Sequence, residues 1–383
     1  MTWTTPPSDA HDIPRSRDRR GFALVLTLGA IVVIGLLIAG IFFITNQQLR
    51  GGNASVRQEA AFRQAESALA LRLTDWSNDT LPEVNGQSVL ATIDETPVTI
   101  TRLSDTVYRV ASRAAIGDGG TRHEAARQVD QLVRLLGPDL KIRGALTVRG
   151  GVTIHGTPEI DGKDHQPAGW SCGAPAPAKP GIAGPDLSKM SSTGNCKDFK
   201  CVEGNPPVIA DPVAGDPATY NTFGDFTWAE LVSLADIRMT ADVQPEPVVS
   251  GGKCVKSMSN WGDPSRSNPA KACESYYPVI YYPGDAKLTG GTGQGILLVE
   301  GTLEVKGNFV FYGPVIIQGK LVTAGTGGHF NGAVMTANAE VGEWTNSMTG
   351  NAVVNYSACA VSKALQAMRK PKPIAQRGWS EAY

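Results

Sequence analysis

The sequence has almost no net charge and few of the residues that usually carry out chemistry. Its 35 lysines and arginines nearly balance 36 aspartates and glutamates, so no positive excess is available for a nucleic-acid backbone. There are only five histidines, and no P-loop or G-x-S-x-G motif occurs in the context that such a motif needs. We therefore predict a protein that is not an enzyme, needs no cofactor or metal, and does not bind nucleic acid.

Two small clusters are the nearest approach to a reactive site. Asp161, Asp164 and His165 bring two carboxylates and an imidazole together, but a solvated loop is the favoured interpretation. Cys196 and Cys201 lack a histidine or cysteine partner at zinc-finger spacing, so a disulfide is favoured over zinc. The scattered glutamates of the glycine-rich part form no acidic cluster of the kind that a carbohydrate-cleaving enzyme would need.

Cysteine is missing from the first 171 residues. All six cysteines lie further on, at Cys172, Cys196, Cys201, Cys254, Cys273 and Cys359. An even number of cysteines in a region outside the cytoplasm predicts disulfides, although six cysteines allow 15 full pairings and the sequence does not choose among them. Cys359 is expected to pair back into the cysteine-rich region or to stay buried and free.

Residues 22–44 form one long apolar run, FALVLTLGAIVVIGLLIAGIFFI, in which Thr27 is the only polar side chain. A helix of this length would be about 35 Å long, enough to cross a membrane. Arg15, Arg17, Arg19 and Arg20 precede it, so the positive-inside rule places residues 1–21 in the cytoplasm and the rest outside. The run is too long for a cleaved secretory or twin-arginine signal, which favours a membrane-spanning segment.

The chain stays helix-like beyond the apolar run. Phe62, Ala65, Leu69, Leu73 and Trp76 recur at three- and four-residue spacing and predict an amphipathic helix that packs on a globular part. The pair Gly51 and Gly52 interrupts good helix formers, so we expect a kink or a frayed turn there.

The segments RRGFALVLTLGAIVVIG and AAFRQAESALA together resemble the N-terminus of PilX-type minor pilins, over roughly residues 15–76. The resemblance implies that a prepilin peptidase cuts between Gly21 and Phe22 and methylates the new N-terminus at Phe22. It also implies that other pilins or pseudopilins, the peptidase and an assembly platform are partners of the chain, besides the membrane. Gly35 and Ala39 form a small-xxx-small pair that would permit close approach of a neighbouring helix.

The chain departs from the pilin pattern at the fifth position of the expected mature chain. Most pilins carry a glutamate there, whereas this sequence has Leu26. A large tip pseudopilin of type II secretion systems also lacks this glutamate. Within the resemblance, Leu26 therefore argues against a major pilin and for a subunit present in few copies.

Residues 77–137 are expected to form the small antiparallel sheet of a pilin head. Alternating patterns at 98–103, 108–116 and 124–135 predict three strands, with a hairpin signal at Asp118 and Gly119. The third segment also fits helical spacing, so strand and helix both remain open for it.

Glycines recur every six residues at positions 144–162 and again at 295–325. The second and fourth residues after each glycine are mostly apolar, as Leu297 and Val299 show, so each hexad supplies a short strand that cannot bury its own apolar pair. Stacked hexads predict an all-β solenoid domain over residues 138–368, with three hexads to a turn. The alternative is a meander of hairpins. The block resembles bactofilin-type β-helices.

Residues 163–294 are expected to be a cysteine-rich insertion between the two glycine blocks, with one helix at 227–239 capped by Asp225. A second helix at 358–368 is expected to cap the open end of the solenoid. Residues 369–383 are expected to be a flexible tail.

These observations predict a pilin-like α+β part, with a long membrane helix and an antiparallel sheet, followed by a β-solenoid. The expected function is a minor pilin-like structural subunit of a type IV pilus or a related secretion filament, held in the inner membrane and then displayed at the cell surface, with the tip as one position. The alternative is a membrane-anchored β-helix that binds or cleaves carbohydrate.

Overall fold

The computed structural model describes residues 20–78, 81–82, 84–117, 125–266, 271–325, 327–337, 345–348, 351–375 and 378–382. Arg15, Arg17 and Arg19 of the expected leader, and the expected turn at Asp118 and Gly119, lie outside these residues. The described chain forms a long helix packed on an antiparallel sheet, followed by a larger set of parallel strands.

The N-terminal helix α1 (Arg20–Thr74) is 55 residues long, which corresponds to about 80 Å. Its helical backbone continues through Gly51 and Gly52, so the break expected at this pair is not seen. The two glycines cost about 1 kcal/mol each relative to alanine, but adding residues to a helix that already exists is far easier than starting one. Long helix-forming segments on both sides therefore carry the helix across the pair.

Four strands follow α1 and form an antiparallel sheet: β1 (Ser88–Ile93), β2 (Thr96–Arg102), β3 (Val107–Ile116) and β4 (Ala125–Leu136). Asp94 and Glu95 join β1 to β2 in a two-residue turn with positive φ angles of 46° and 64°. The segment that fitted both helix and strand is the strand β4, whose Val129, Val133 and Leu135 are buried. The strand β1 was not predicted.

The core of this first part lies between α1 and the sheet. Ala61, Ala65, Ala68 and Leu69 of α1 are buried, and Phe62, Leu73 and Trp76 pack at the edge of the same cluster. The predicted apolar stripe is therefore the packed face of α1. The three alanines allow the helix to lie close to the apolar side chains that the sheet presents: Val98, Ile100, Tyr108, Val110, Ala114, Val129, Val133 and Leu135.

The second part begins with seven short strands. They are β5 (Leu146–Val148), β6 (Gly151–Ile154), β7 (Glu159–Asp161), β8 (Ile182–Gly184), β9 (Met190–Ser192), β10 (Val202–Glu203) and β11 (Val208–Ala210). Turns of 3₁₀ helix occur at Leu187–Lys189, Gly194–Phe199 and Pro212–Gly215.

A less regular stretch connects these strands to the second glycine block. It contains the helices α2 (Ala218–Asn221) and α3 (Trp228–Ser233), and the strands β12 (Thr222–Phe223), β13 (Phe226–Thr227), β14 (Ile237–Arg238), β15 (Val249–Ser250) and β16 (Lys253–Cys254). The helix expected at 227–239 is shorter, because the chain turns after Leu234 to place β14 in the parallel sheet. Its cap is Thr227, in a reciprocal box with Glu230, and Asp225 is not the cap.

The second glycine block supplies the longest parallel strands. They are β17 (Val279–Tyr282), β18 (Ala286–Gln294), β19 (Ile296–Val299), β20 (Leu303–Ile317), β21 (Leu321–Ala324), β22 (Gly328–Thr336), β23 (Thr345–Met348) and β24 (Val353–Tyr356). The helix α4 (Ala358–Ala367) and the strands β25 (Lys370–Pro373) and β26 (Trp379–Ala382) complete the described chain.

Every pair in this 16-stranded sheet is parallel, so a meander of hairpins is not what the glycine blocks form. Leu297 lies beside Val315, and Leu303 beside Leu321, so these strands are offset by 18 residues (315 − 297 and 321 − 303). The other neighbouring strands between β17 and β22 are offset by 17 to 19 residues (296 − 279 and 328 − 309). Eighteen residues are three glycine-bounded hexads. The glycine interval of the sequence is therefore one third of the interval at which strands become neighbours.

The parallel pairs form three rows. The first runs β10, β7, β24, β22, β20, β18; the second runs β11, β8, β5, β22, β20, β19, β17, β14; the third runs β9, β6, β23, β21, β20, β18. The residues expected to form a separate cysteine-rich insertion supply strands to all three rows. That boundary is therefore wrong, because alternating apolar residues can join the sheet without a glycine period.

The order of strands within a row differs from their order in the chain. The last strands of the second block meet the first strands of the first block, where Val334 pairs with Leu146 and Asn355 with Asp161. Residues 211–278 carry the chain back to the far end of the rows, where β14 pairs with β17. The chain therefore enters at β5 and leaves at β24 near the middle of the rows.

Two apolar clusters hold this second part together. One lies among the three rows and includes Leu297, Val315 and Trp261. The other covers the outer side of the second row, where Ala364 and Met368, from α4 and its end, are buried. Because α4 packs on β20 and β22, it does not cap an open end as predicted; the end of the second block lies in the middle of the rows.

The C-terminal residues belong to the first sheet. β25 pairs with β4 from Val133 to Leu136, and β26 pairs with β4 from Gln128 to Gln131. The ring of Trp379 packs edge-on against Phe62 with the centroids 6.3 Å apart. The prediction of a flexible tail at 369–383 is therefore wrong, because the unpaired backbone groups of β4 bind this segment despite its polar composition.

Candidate membrane and assembly surface

The apolar part of α1 stands clear of the rest of the protein. The large apolar side chains from Leu24 to Ile44 are 54–71% exposed, and none packs against the sheets. Within the described part of the chain, α1 is the one helix that is long and apolar enough to cross a membrane. Removing this apolar surface from water would stabilise the helix, because the hydrophobic free energy is proportional to the apolar area buried.

The residues singled out from the sequence lie along this exposed half. Gly21 and Phe22 are the second and third residues of α1. Leu26 is 59% exposed, one turn further along. A Cβ added at Gly35 would meet nothing within 4 Å, and Ala39 on the same face is exposed as well. The surface around Gly35 and Ala39 is therefore open to a neighbouring helix.

The single polar side chain in the apolar run satisfies its own hydrogen bond. The Thr27 hydroxyl donates to the carbonyl oxygen of Leu24 at 3.0 Å. Because this bond stays within the helix, Thr27 adds little cost when the helix enters an apolar environment. The run is thus apolar in practice along its whole length.

A stalk of helix separates the apolar half from the sheet. Ala61 is the first buried residue of α1, so residues 45–60 precede the packed segment, and near their end the Arg127 guanidinium of β4 donates a hydrogen bond to the Oε1 atom of Gln58 at 2.9 Å. At 1.5 Å per residue the stalk is about 24 Å long. The globular part therefore lies well outside the layer that the apolar half would occupy.

Arg72 anchors the end of α1. It is 5% exposed, its guanidinium donates to the carbonyl oxygen of Asp75 at 2.7 Å, and it lies 5.1 Å from the centroid of the Trp76 ring. Burial lowers the pKa of Arg72 from its ordinary value. The contacts with Trp76 and the chain end fix the direction in which the chain leaves the helix.

Asn78 connects the first part to the second. Its side-chain amide donates to the carbonyl oxygens of Ala367 at 3.3 Å and Arg369 at 3.0 Å, at the end of α4. The Ala367 carbonyl is one of those that a helix C-terminus leaves without an intrahelical partner, and Arg369 lies just beyond the cap residue Met368. Asn78 therefore caps α4 from outside and ties it to the end of α1.

All six cysteines are paired. Cys172 bonds Cys359, Cys196 bonds Cys201, and Cys254 bonds Cys273, and no free cysteine is left. The pairing of Cys359 back into the cysteine-rich region agrees with one of the two expectations. The Cys172 bridge joins residues 187 positions apart and attaches the segment after β7 to α4.

The candidate cluster of Asp161, Asp164 and His165 has structural roles. Asp161 is buried and lies 2.7 Å from the Nε2 atom of His165. The Asp164 carboxylate accepts from the backbone amides of Ala358, at the start of α4, and Ala176. Across the described ranges, no group of three or more histidine, cysteine, aspartate or glutamate side chains is arranged to hold a metal ion.

Sequence reasoning missed Arg72, Asn78 and Trp379. The four-residue spacing of Arg72 and Trp76 is visible in the sequence, but the burial of Arg72 is not. The partners of Asn78 and of Trp379 each lie in a distant part of the chain. No local sequence pattern predicts contacts between such distant residues. Only pairs of positions that vary together in related sequences would reveal them.

Comparison with known proteins adds little. No protein-family model matches the sequence, and no curated protein is similar to it. Among solved structures, the chain is similar to the competence-associated pilin ComZ from Thermus thermophilus, with 12% identity, coverage of 86% of this chain and 97% of that chain, and a TM-score of 0.23. A likeness at this TM-score says nothing about the function of this chain.

Proposed function

We propose that the protein is a minor pilin-like subunit of a type IV pilus or a related secretion filament. The observation that carries the proposal is the division of α1 into two halves. Its first half exposes apolar side chains on every side, and its second half packs on an antiparallel sheet through Ala61, Ala65 and Leu69. Such a helix can be held in lipid and later exchange its lipid contacts for those of like helices.

We propose that the apolar half of α1 occupies two environments in succession, first the membrane and then the filament. Before assembly, α1 spans the inner membrane with residues 1–21 in the cytoplasm and the sheets outside. Prepilin peptidase then cuts between Gly21 and Phe22 and methylates Phe22. The assembly platform moves the helix into a bundle, where the small residues Gly35 and Ala39 give neighbouring helices close approach.

Leu26 supports a position in few copies. A carboxylate at this place would pair with the terminal amine of a neighbouring subunit, whereas Leu26 makes no such contact. The chain would therefore dock poorly beneath an existing subunit and serve at the start of the filament. We propose a tip position on this ground.

The head of the subunit is proposed to be a three-sided β-solenoid. The 18-residue offset of neighbouring strands and the division of the parallel pairs into three rows support one turn for every three hexads. The close approach of Gly313 to the carbonyl of Gly295 supports successive turns that stack directly on each other. Three disulfides would suit such a head to the cell surface. We propose a structural head that serves as a spacer or adhesin, without enzymatic activity.

The mature N-terminus tests the proposal. Intact-mass measurement and N-terminal sequencing of the full chain purified from its membrane should give a chain that begins with N-methylated Phe22. Gly21→Val should leave the leader attached, and Gly35→Val, inside the apolar run, should be cut normally. An intact leader on the wild-type chain would refute the proposal and favour a permanent anchor.

A further inference from the structure

The two edges of the first sheet are built differently. One edge is formed by β26, which pairs with the first half of β4, and by β25, which pairs with the second half and reads Lys370, Pro371, Lys372, Pro373. Proline has no N–H group to donate to a neighbouring strand. Lysine at an edge opposes the addition of a strand, because its charge would have to leave water. The β25 part of this edge is therefore closed to further strands.

The opposite edge, β1, carries none of these features. Its six residues, SVLATI, include no charge, proline or glycine, and they favour extended structure. Among the residues that the structure describes, β1 pairs with β2 alone. Leu90 in its centre is 70% exposed, and Val84 nearby is 55% exposed. An uncharged edge with an exposed leucine is the kind of edge that binds another strand.

The backbone of β1 presents a regular row of hydrogen-bonding groups. The amide of Arg102 in β2 donates to the carbonyl oxygen of Gln87 at 3.0 Å. In an antiparallel pair, alternate residues point their backbone groups at the partner, so residues 89, 91 and 93 also face β2. The N–H and C=O groups of Ser88, Leu90 and Thr92 therefore point away from the sheet. Only an extended strand matches donors and acceptors at this spacing of about 7 Å.

We propose that the β1 edge binds an extended strand of a different protein when the subunit is assembled, and that this strand is uncharged along residues 88–92 and basic at the turn end. This inference rests on the proposed function, since it takes α1 to lie in a membrane or filament. Asp94 and Glu95 are exposed at the turn end of the edge, so the partner strand carries a basic residue there. The bound strand adds a seventh strand to the six-stranded sheet.

A second copy of this chain fits the edge poorly. Two β1 edges paired antiparallel, as every pair in this sheet is, are related by a two-fold axis perpendicular to the sheet. That axis reverses α1, so the two apolar halves would point in opposite directions. A neighbour in the same orientation would instead offer β25 and β26. Both run parallel to β1, because four antiparallel pairings separate them from it, and Pro371 and Pro373 of β25 also lack N–H groups. The occupant is therefore a strand from another protein.

Site-specific photocrosslinking in intact cells tests the inference with the full chain. Benzoylphenylalanine replaces Thr92, whose side chain is exposed on β1, and in a matched variant replaces Lys372 on β25. Thr92→benzoylphenylalanine should give an adduct with a different protein, and Lys372→benzoylphenylalanine should not. In the Thr92 variant, Leu90→Pro should lower the adduct by about tenfold or more, because it removes one outward N–H and keeps the bonds to β2.

Leu90→Thr is the control, because it keeps the N–H and should leave the adduct within about twofold. Leu90→Lys is a second blocking variant that leaves the backbone intact, and thermal melting of the purified chains checks that each variant folds. An adduct with a second copy, an adduct insensitive to both blocking variants, or no adduct at Thr92 would each overturn the inference. The state of the N-terminus at Phe22, read on the same material, reports separately on the proposed function.

Discussion

Val334 and Leu146 lie side by side on the parallel strands β22 and β5, although they come from different glycine blocks. At this seam the end of the second block meets the start of the first. The sequence between them runs out to one end of the rows and returns from the other. The stability of the second part therefore depends on contacts between residues that are far apart in the chain, which the loop-closure entropy of folding opposes.

Gly313→Ala should destabilise the second part by about 2–4 kcal/mol. Gly313 has a φ of +133°, and an added Cβ would overlap the carbonyl oxygen of Gly295 on the neighbouring strand. Gly290→Ala is the matched control, because its φ is not positive and its Cβ would meet only Gln244 at 3.9 Å. Thermal unfolding followed by tryptophan fluorescence compares the two. Equal midpoints of thermal unfolding for the two variants would show that the glycine period does not reflect close approach between the backbones of neighbouring strands.

Removing the long-range disulfide should cost more than removing the shortest one. Cys172 and Cys359 are 187 positions apart, whereas Cys196 and Cys201 are 5 apart. On the chain-entropy argument the two bridges contribute about 5 and about 2 kcal/mol respectively. Double serine variants of each pair, compared by denaturant unfolding, measure the difference. The reverse order would mean that native contacts, and not the entropy of the unfolded chain, decide the contribution.

Trp379→Ala should destabilise the first sheet by about 1.5–2.5 kcal/mol, which is half the cost of deleting a fully buried tryptophan, because Trp379 is 49% exposed. Thermal unfolding measures this loss.

A chain that ends at Arg369 should lose both β25 and β26 and leave one edge of β4 open. Hydrogen exchange at the β4 amides should rise strongly in the shortened chain and little in Glu381→Gln. Unchanged exchange in the shortened chain would show that the tail adds nothing to the sheet.

Stability should fall in alkaline solution. Burial raises the pKa of Tyr220 and of Tyr282 above the ordinary value, and burial together with Asp236 raises the pKa of Tyr276 to about 12. The folded protein therefore holds these protons while the unfolded chain ionises near pH 10. The contribution is fully present below about pH 10 and is lost as the pH rises through the folded pKa values. Thermal midpoints measured from about pH 8 to about pH 12 should fall mainly above pH 10.

Two phenylalanine substitutions separate the tyrosines. The buried hydroxyl of Tyr282 has no hydrogen-bond partner among the described residues, so Tyr282→Phe should be neutral or stabilising and should flatten the alkaline decline. The hydroxyl of Tyr220 donates to the carbonyl oxygen of Ala214 at 2.8 Å, so Tyr220→Phe should cost about 1 kcal/mol. A loss of stability in Tyr282→Phe equal to that in Tyr220→Phe would contradict this assignment.

The sequence predicted the features that repeat locally. The apolar stripe at Phe62, Ala65 and Leu69 has the helical period, and the glycines six residues apart mark one third of the interval between neighbouring parallel strands, so both follow from neighbours in the chain. The same reasoning missed β25 and β26, because Lys370 to Pro373 has little tendency to form a strand by itself. Pairing with β4 decides its structure, and that partner lies in a distant part of the sequence.

The position of α4 shows the same limit. A short helix after the last strand of a glycine block would cap an open end if the strands were stacked in chain order. The first block occupies the place beyond β24 instead, since Asn355 pairs with Asp161. The order of the rows follows from the return of the chain through residues 211–278, and no local period encodes that return.

The place where the two parts join governs how the protein carries tension. The chain reaches the parallel rows through β4 and returns to the first sheet through α4 and β25, and the stem of Arg369 packs against Gly137 where the two connections pass each other. A pull on α1 therefore enters the rows near their middle. Strands on either side of that point carry load only when something is held at the ends of the rows. A force on α1 therefore acts on the second part at its middle, and the strands towards either end of the rows do not lie in the path of that force.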